Sequence, residues 1–346
     1  MVVVMLPGVE TEDVDAVVAR VEAAGGQAFV SRGVSRVIIG LIGDVESFSA
    51  LNLRGMPGVA QVTRISTEYK LVSREHHPER SVVRVRGVPV GPDTVTLIAG
   101  PCAVETPDQT LAAARMAKAA GATMLRGGAF KPRTSPYAFQ GLGEAGLRIL
   151  ADVREETGLP IVTEVLSAHD VPMVAGYADM LQIGTRNMQN FALLQAIGET
   201  RVPVMLKRGM NATIQEWLMA AEYIAQRGNL EIVLCERGIR TFETATRNTL
   251  DISAVPVVQQ LSHLPVIVDP SHSGGRRELV LPLSRAAIVA GADGIIVDVH
   301  PQPETALCDG AQALVANDLD ILARSVSELT SYMGRLPARR RYRSAG

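Results

Sequence analysis

The sequence predicts an α/β protein: a closed (β/α)8 TIM barrel preceded by a small α+β domain of ferredoxin-like order. Three observations carry that expectation. From Thr94 onward, apolar runs of about five to seven residues alternate with helical stretches eight times, which over roughly 250 residues is the arithmetic of a closed barrel. The first ~65 residues change hydrophobic period in the order strand, helix, strand, strand, helix, strand, the split βαβ arrangement. Finally, 346 residues with 47% hydrophobic and 20% charged side chains suffice for one large domain and one small one, and exclude disorder as the main state. The expected domains are 1–68, a linker and hairpin at 69–92, and a catalytic barrel at 93–346.

Val2 to Leu6 is a short apolar run. Thr11 can cap the helix that follows, where Val14, Val17, Val18 and Val21 share a face and Gly25-Gly26 end it. Gln27 to Ser31, Ser35 to Leu41 and Val59 to Ile65 read as strands, with a short helix around Val45 to Leu51. Tyr69 to Arg80 is polar and reads as a solvated linker. Its adjacent histidines, His76 and His77, point in different directions and have no evident partners, which argues against a metal site. Ser81 to Val90 alternates about Arg86-Gly87 as a small hairpin would. The barrel strands are expected at Val95–Ala99, Thr123–Arg126, Ile161–Glu164, Met180–Ile183, Val204–Lys207, Ile232–Glu236, Val266–Asp269 and Gly294–Val297. A doubly wound open sheet is the alternative, but it would concentrate ligand contacts at one switch point.

In the barrel block, polar residues follow the apolar strand cores repeatedly: Cys102, Arg126 with Lys131, Glu164, Arg186, Lys207, Arg237, His272, and Asp298 with His300. Barrel geometry brings such positions to the C-terminal mouth, where active sites lie. Arg126, Lys131, Arg186, Lys207 and Arg237, with Arg133 beyond, would repel one another unless anions filled the space, so phosphorylated or carboxylated ligands are expected. Gly127-Gly128 and Gly274-Gly275 match neither nucleotide phosphate-loop pattern. Cys102, His272, Asp298 and Asp309 form an S, N, O donor set suited to Mn, Fe, Co or Zn better than Mg. By spacing alone, buried structural Cys and salt-bridged Asp fit those positions equally well.

The remaining composition narrows the classes. A formal charge of −2 gives no bulk field for nucleic acid or a membrane surface, so neither partner is expected. Aromatic residues at 4% argue against base-stacking platforms. Three scattered cysteines fit a reduced cytoplasmic compartment, and no secretion signal or membrane-spanning run is evident. Cys235 and Met188, Met205, Met210 and Met219 read as core or loop filler, and the tail Arg335 to Arg343 as a frayed, solvated end.

The motifs Gly100-Pro101-Cys102-Ala103-Val104-Glu105, Leu125 to Ser135, Lys207-Arg208-Gly209, Cys235-Glu236-Arg237-Gly238 and Asp269 to Gly275 closely resemble those of the 3-deoxy-D-arabino-heptulosonate 7-phosphate (DAHP) synthases. The resemblance is to the type I beta group and spans essentially the whole chain, including the N-terminal block found in one subset. It implies condensation of phosphoenolpyruvate with erythrose 4-phosphate, the first step toward aromatic amino acids. It also implies that Arg126, Lys131, Thr185, Arg186, Lys207 and Arg237 bind phosphoenolpyruvate and that Pro132, Arg133, Thr134 and Ser135 bind erythrose 4-phosphate. Cys102, His272, Asp298 and Asp309 would hold a divalent metal ion, and Lys131, Glu164 and His272 would be catalytic. An aromatic amino acid effector, tyrosine or phenylalanine, and a homo-oligomer, a tetramer, are further implications. The chain departs from the family pattern at Asp298, where Glu is usual, at Cys308, where Ser is usual, and at Thr185, where Ala is usual. Competing expectations are an octulosonate-type synthase using arabinose 5-phosphate, a Schiff-base aldolase using Lys131 or Lys207, and a silent regulatory paralogue.

Overall fold

A computed structural model describes residues 1–33, 36–63 and 68–338, with the backbone alone at 45–46. Ser35 and Ile65, ends of two expected strands, and the tail beyond Ala338 lie outside the described residues. The chain divides into two compact units, Met1–Glu79 with Leu261–His263, and Arg80–Gln260 with Leu264–Gly346.

In the first unit, strands Val2–Met5, Gln27–Arg32, Val37–Ile42 and Val59–Thr63 form an antiparallel sheet in the order second, third, first, fourth. That order is the ferredoxin-like one the periodicity predicts. Helix Thr11–Ala23 buries Val14, Val17 and Val21 with Ile39, Leu41 and Phe48 in one core. Thr11 is not its cap. Glu10 precedes the first turn and makes no side-chain cap bond, so Thr11 is already helical.

The stretch 69–79 is not a solvated linker. Tyr69, Leu71, Val72, Ser73 and His76 are buried: residues about 190 positions away pack on Leu71 to Ser73, and the His76 ring lies against Gly40. Ser262 Oγ donates to the Val72 carbonyl at 2.6 Å, His263 Nε2 lies 2.9 Å from the Leu71 carbonyl, and the His77 and His263 rings stack at 4.5 Å. Nothing local in the sequence announces that packing.

The second unit begins with the hairpin Val83–Val85 and Val88–Val90. Arg86 and Gly87 both have positive φ, as a two-residue hairpin turn with the sheet's right-handed twist requires. Eight parallel strands follow: Thr94–Gly100, Met124–Arg126, Ile161–Glu164, Met180–Ile183, Val204–Lys207, Ile232–Glu236, Val266–Val268 and Gly294–Asp298. Each pairs with the next, and the last returns to the first, from Gly294 opposite Thr96 to Asp298 opposite Gly100. Closure excludes the open-sheet alternative. Val83, Val85, Val88 and Val90 share one buried cluster with Ile98, Met124, Met180, Met205, Val233, Cys235 and Ile296, so the hairpin plugs the barrel interior opposite the mouth. Cys235, Met188 and Met205 are buried as expected. Arg335 is not part of a solvated tail: it donates to the Thr94 carbonyl at 2.6 Å and to Asp293 Oδ1 at 2.9 Å.

Burial pushes the His76 and His263 imidazoles down to about 4, with neighbouring cationic or imidazole groups adding to it. In the unfolded chain both titrate near 6.5. The unfolded state therefore binds protons first as pH falls, and stability present above about 6.5 is lost toward 4. We expect the first unit to lose about 1.4 kcal/mol per pH unit for each histidine in that window. Denaturant unfolding at pH 7, 6 and 5 measures the slope, and His76→Gln should shrink it; a flat profile refutes the assignment.

Candidate active site

Parallel strands of one barrel all end on the same face, so the strand-end residues converge without long loops. They line a cleft of about 430 Å³ containing Arg126, Lys131, Pro132, Arg133, Thr134, Ser135, Glu164, Thr185, Arg186, Lys207, Arg237, His272, Cys308 and Asp309. Cys102 and Asp298 are buried and touch that set from beneath. His300 does not join it: the ring is buried 3.5 Å from Glu105, whose other oxygen accepts from Leu307 N. Two glycines make the approach feasible. A Cβ on Gly184 would meet Glu164 Oε1 at 1.9 Å, and one on Gly128 would meet the Cys102 carbonyl at 2.6 Å and Lys131 Cδ at 2.7 Å.

The wall carries Arg126, Lys131, Arg133, Arg186, Lys207, Arg237, Arg240 and Arg247 against only Glu164 and Asp309, so the open space is strongly cationic. The deeper cations are not left unpaired, contrary to the sequence expectation. Arg126 forms a buried ion pair with Asp298 Oδ1, Lys207 Nζ lies 2.5 Å from Asp269 Oδ2, and Lys131 Nζ reaches the Cys102 carbonyl at 2.9 Å and Sγ at 3.1 Å. Burial opposes charge on Lys131, yet the sulfurs of Cys102 and Cys308 and the Glu164 carboxylate together outweigh it, and the ammonium titrates above its ordinary value. Among the described residues, Arg237 has only the Gly238 carbonyl, at 3.4 Å, and burial lowers its affinity for a proton. Among the same residues, Arg186 and Arg133 make single 3.4 Å hydrogen bonds, to Thr134 Oγ1 and the Phe139 carbonyl. These three have capacity for an incoming anion.

Below them lies the donor cluster. Asp269 Oδ2 sits 2.8 Å from His272 Nδ1, Asp269 Oδ1 accepts from the His272 backbone N–H at 2.9 Å, and Nε2 faces Cys102 Sγ at 3.8 Å, Asp298 Oδ2 at 3.6 Å and Asp309 Oδ2 at 3.8 Å. A carboxylate on the remote ring nitrogen is the usual support of a metal-binding histidine. Burial disfavours ionised Asp269, but His272 and Lys207 overcome that and hold its carboxyl well below the usual range. Burial likewise opposes charge on Asp309, and His272 and Arg247 outweigh it. Ligand atoms of Cys102, His272 and Asp298 lie within 4.8 Å of one another, as do those of Cys102, Cys308 and Asp309. Buried S, N and O donors at such spacing fit a divalent ion of the Mn, Fe, Co or Zn type.

Several participants were not singled out from sequence. Arg247 Nη1 donates to Asp309 Oδ1 and to Gln312 Oε1, both at 3.0 Å, and Gln312 Nε2 donates to Asp298 Oδ2 at 2.5 Å. Arg240, Asn248 and Gln182 also line the cleft. Their only sequence signal was position, in or beside loops that leave the strand ends.

The DAHP synthetase I family profile matches residues 70–335, and that of the DAHP synthase ferredoxin-like domain matches residues 1–67. The chain belongs to the DAHP synthetase I family. A phospho-2-dehydro-3-deoxyheptonate aldolase of Thermotoga maritima is 52% identical over 329 residues, 95% of this chain and 96% of that protein. A 2-dehydro-3-deoxyphosphooctonate aldolase of Syntrophotalea carbinolica is 37% identical over 257 residues, 69% of this chain and 91% of that protein. The crystal structure of the Thermotoga DAHP synthase superposes with a TM-score of 0.77 at 50% identity, covering 97% of this chain and 98% of that one. A truncated form of the Thermotoga protein gives 0.73 at 52% identity, covering 77% and 98%.

The Arg126–Asp298 pair is almost fully buried, and removing one partner of such a pair leaves an uncompensated charge. Asp298→Ala should therefore lower stability by about 3–5 kcal/mol, with part of the loss restored when Arg126 is also removed. Urea unfolding of the two variants decides it, and an unchanged midpoint for Asp298→Ala refutes the pairing.

Proposed function

We propose that the cleft condenses phosphoenolpyruvate with erythrose 4-phosphate and releases phosphate, the DAHP synthase reaction that opens aromatic amino acid biosynthesis. The observation that carries this is the juxtaposition of a cation-lined cleft with a buried S, N, O donor cluster at one barrel mouth. Arg126, Lys131, Thr185, Arg186, Lys207 and Arg237 hold the phosphate and carboxylate of phosphoenolpyruvate, where arginine forks suit paired oxyanions. Pro132, Arg133, Thr134 and Ser135 hold erythrose 4-phosphate. Cys102, His272, Asp298 and Asp309 are the metal ligands of this reading, and a bound divalent ion supplies Lewis-acid polarisation of the aldehyde oxygen.

C3 of phosphoenolpyruvate attacks the aldehyde carbon, water adds at C2, and phosphate leaves by C–O cleavage. Glu164 suits the orientation of that water: Oε2 accepts from Gln182 at 3.2 Å, while Oε1 is buried with no partner among the described residues. Lys131, held cationic, contributes charge and a hydrogen bond. Its hydrogen bonds to the Cys102 carbonyl and sulfur and its place among cations, where an apolar pocket is needed, disfavour a Schiff-base aldolase. His272, oriented by Asp269, acts within the ligand cluster.

The N-terminal domain, 1–68, carries no donor cluster of this kind among its described residues. A regulatory role suits it, with tyrosine or phenylalanine as effector and a tetramer as the assembly. A cytoplasmic location accords with three free cysteines and with the absence, among the described residues, of a helix long and apolar enough to cross a membrane.

The decisive assay offers phosphoenolpyruvate with erythrose 4-phosphate or arabinose 5-phosphate, with and without chelator. Chelator-sensitive turnover of the first pair is expected. Preference for arabinose 5-phosphate points to the octulosonate reaction, and phosphoenolpyruvate binding without turnover points to the silent paralogue. Arg133→Ala should raise KM for erythrose 4-phosphate by about 10- to 100-fold, the loss of one charged hydrogen bond, with much less change for phosphoenolpyruvate. Equal effects on both substrates would mean that the segment is misassigned. Removing residues before about Ser81 should abolish feedback inhibition and keep activity; retained inhibition moves the effector site into the barrel.

A further inference from the structure

We infer that Cys308 is itself a metal ligand, so that this chain offers a two-thiolate set, Cys102, Cys308, His272 and Asp309, selective for a thiophilic divalent ion such as zinc or cobalt over manganese. The inference rests on the metal-dependent reading above and changes its ligand set. Its first support is geometric. Zinc–sulfur bonds of about 2.3 Å at a tetrahedral ion place two sulfurs about 3.8 Å apart. Cys102 Sγ and Cys308 Sγ lie 3.7 Å apart, and both approach Asp309 Oδ2, at 3.2 and 3.4 Å. His272 Nε2 faces two members of this set, 3.8 Å from Cys102 Sγ and 3.8 Å from Asp309 Oδ2.

The second support is what Asp298 does instead. Its Oδ1 pairs with Arg126 and its Oδ2 accepts from Gln312 at 2.5 Å, so both oxygens already have strong donors. An ion drawing on Asp298 would compete with the buried Arg126 guanidinium for the carboxylate with which it forms a direct ion pair. Cys308 carries no such obligation. It lines the cleft, and its contacts are with Cys102 and Asp309, members of the donor cluster. Asp298 then serves as the counter-ion of Arg126, and the second sulfur supplies the soft donor that thiophilic ions prefer.

The test uses the full-length chain, stripped with chelator and kept reduced, titrated with Co2+ as probe. Thiolate-to-cobalt charge-transfer absorption per bound ion counts the sulfurs, and calorimetry gives stoichiometry and affinity. Cys308→Ser should bind one Co2+ with about half the charge-transfer intensity, one thiolate of two. Its Zn2+ affinity should fall by at least the ~10-fold that loss of a ligand's supporting hydrogen bond causes, while Mn2+ affinity changes little. Cys102→Ser, which keeps the other sulfur, should show a similar halving and controls for a local folding defect in either variant. Full intensity in Cys308→Ser overturns the inference and leaves the metal-dependent reading intact. Failure of the unaltered chain to bind Co2+ at all overturns both.

Discussion

One oxygen of Asp269 lies 2.5 Å from the Lys207 ammonium and 2.8 Å from the His272 imidazole, inside a site from which water is largely excluded. That contact states the constraint on which the mouth of the barrel depends. Fixed cations cannot be buried beside one another without counter-charge. The protein supplies counter-charge from the donor cluster beneath, Asp298 for Arg126 and Asp269 for Lys207, while Lys131 donates to the Cys102 carbonyl and sulfur. The cationic wall and the donor cluster are thus one electrostatic unit.

The fold holds that unit rigid by ordinary means. Barrel strands with fully buried side chains deliver each group at a strand end, and the valine hairpin fills the opposite side of the interior. Loops then add what the strands cannot reach. Arg247 and Gln312 come from different loops and join Asp309 to Asp298 through a single hydrogen-bonded relay.

Asp298 and Cys308 make sense together within this arrangement. A carboxylate one methylene shorter than glutamate sits well as the partner of Arg126 and Gln312, and a sulfur has come within 3.7 Å of the Cys102 sulfur. The charge that Arg126 needs is retained, and a softer donor stands beside Cys102 and Asp309.

Much of this was legible in the linear order of residues. Eight apolar runs, each ended by a polar side chain, predicted the barrel and the convergence of Arg126, Glu164, Lys207, Arg237 and His272, because strand period and parallel closure are local and repetitive properties. The motifs from Gly100 to Gly275 carried the family. Pairings were not legible. Nothing near Arg126 in sequence indicates Asp298, 172 residues away, nor does anything near His77 indicate His263. The expectation of a solvated 69–80 segment failed for this reason, and the protein's own partners for the deeper cations could not be foreseen. Periodicity tells which face of an element is apolar. Which charge meets which, and which histidine is buried, is decided only when closure of the chain brings distant residues within a few ångströms and removes the water between them.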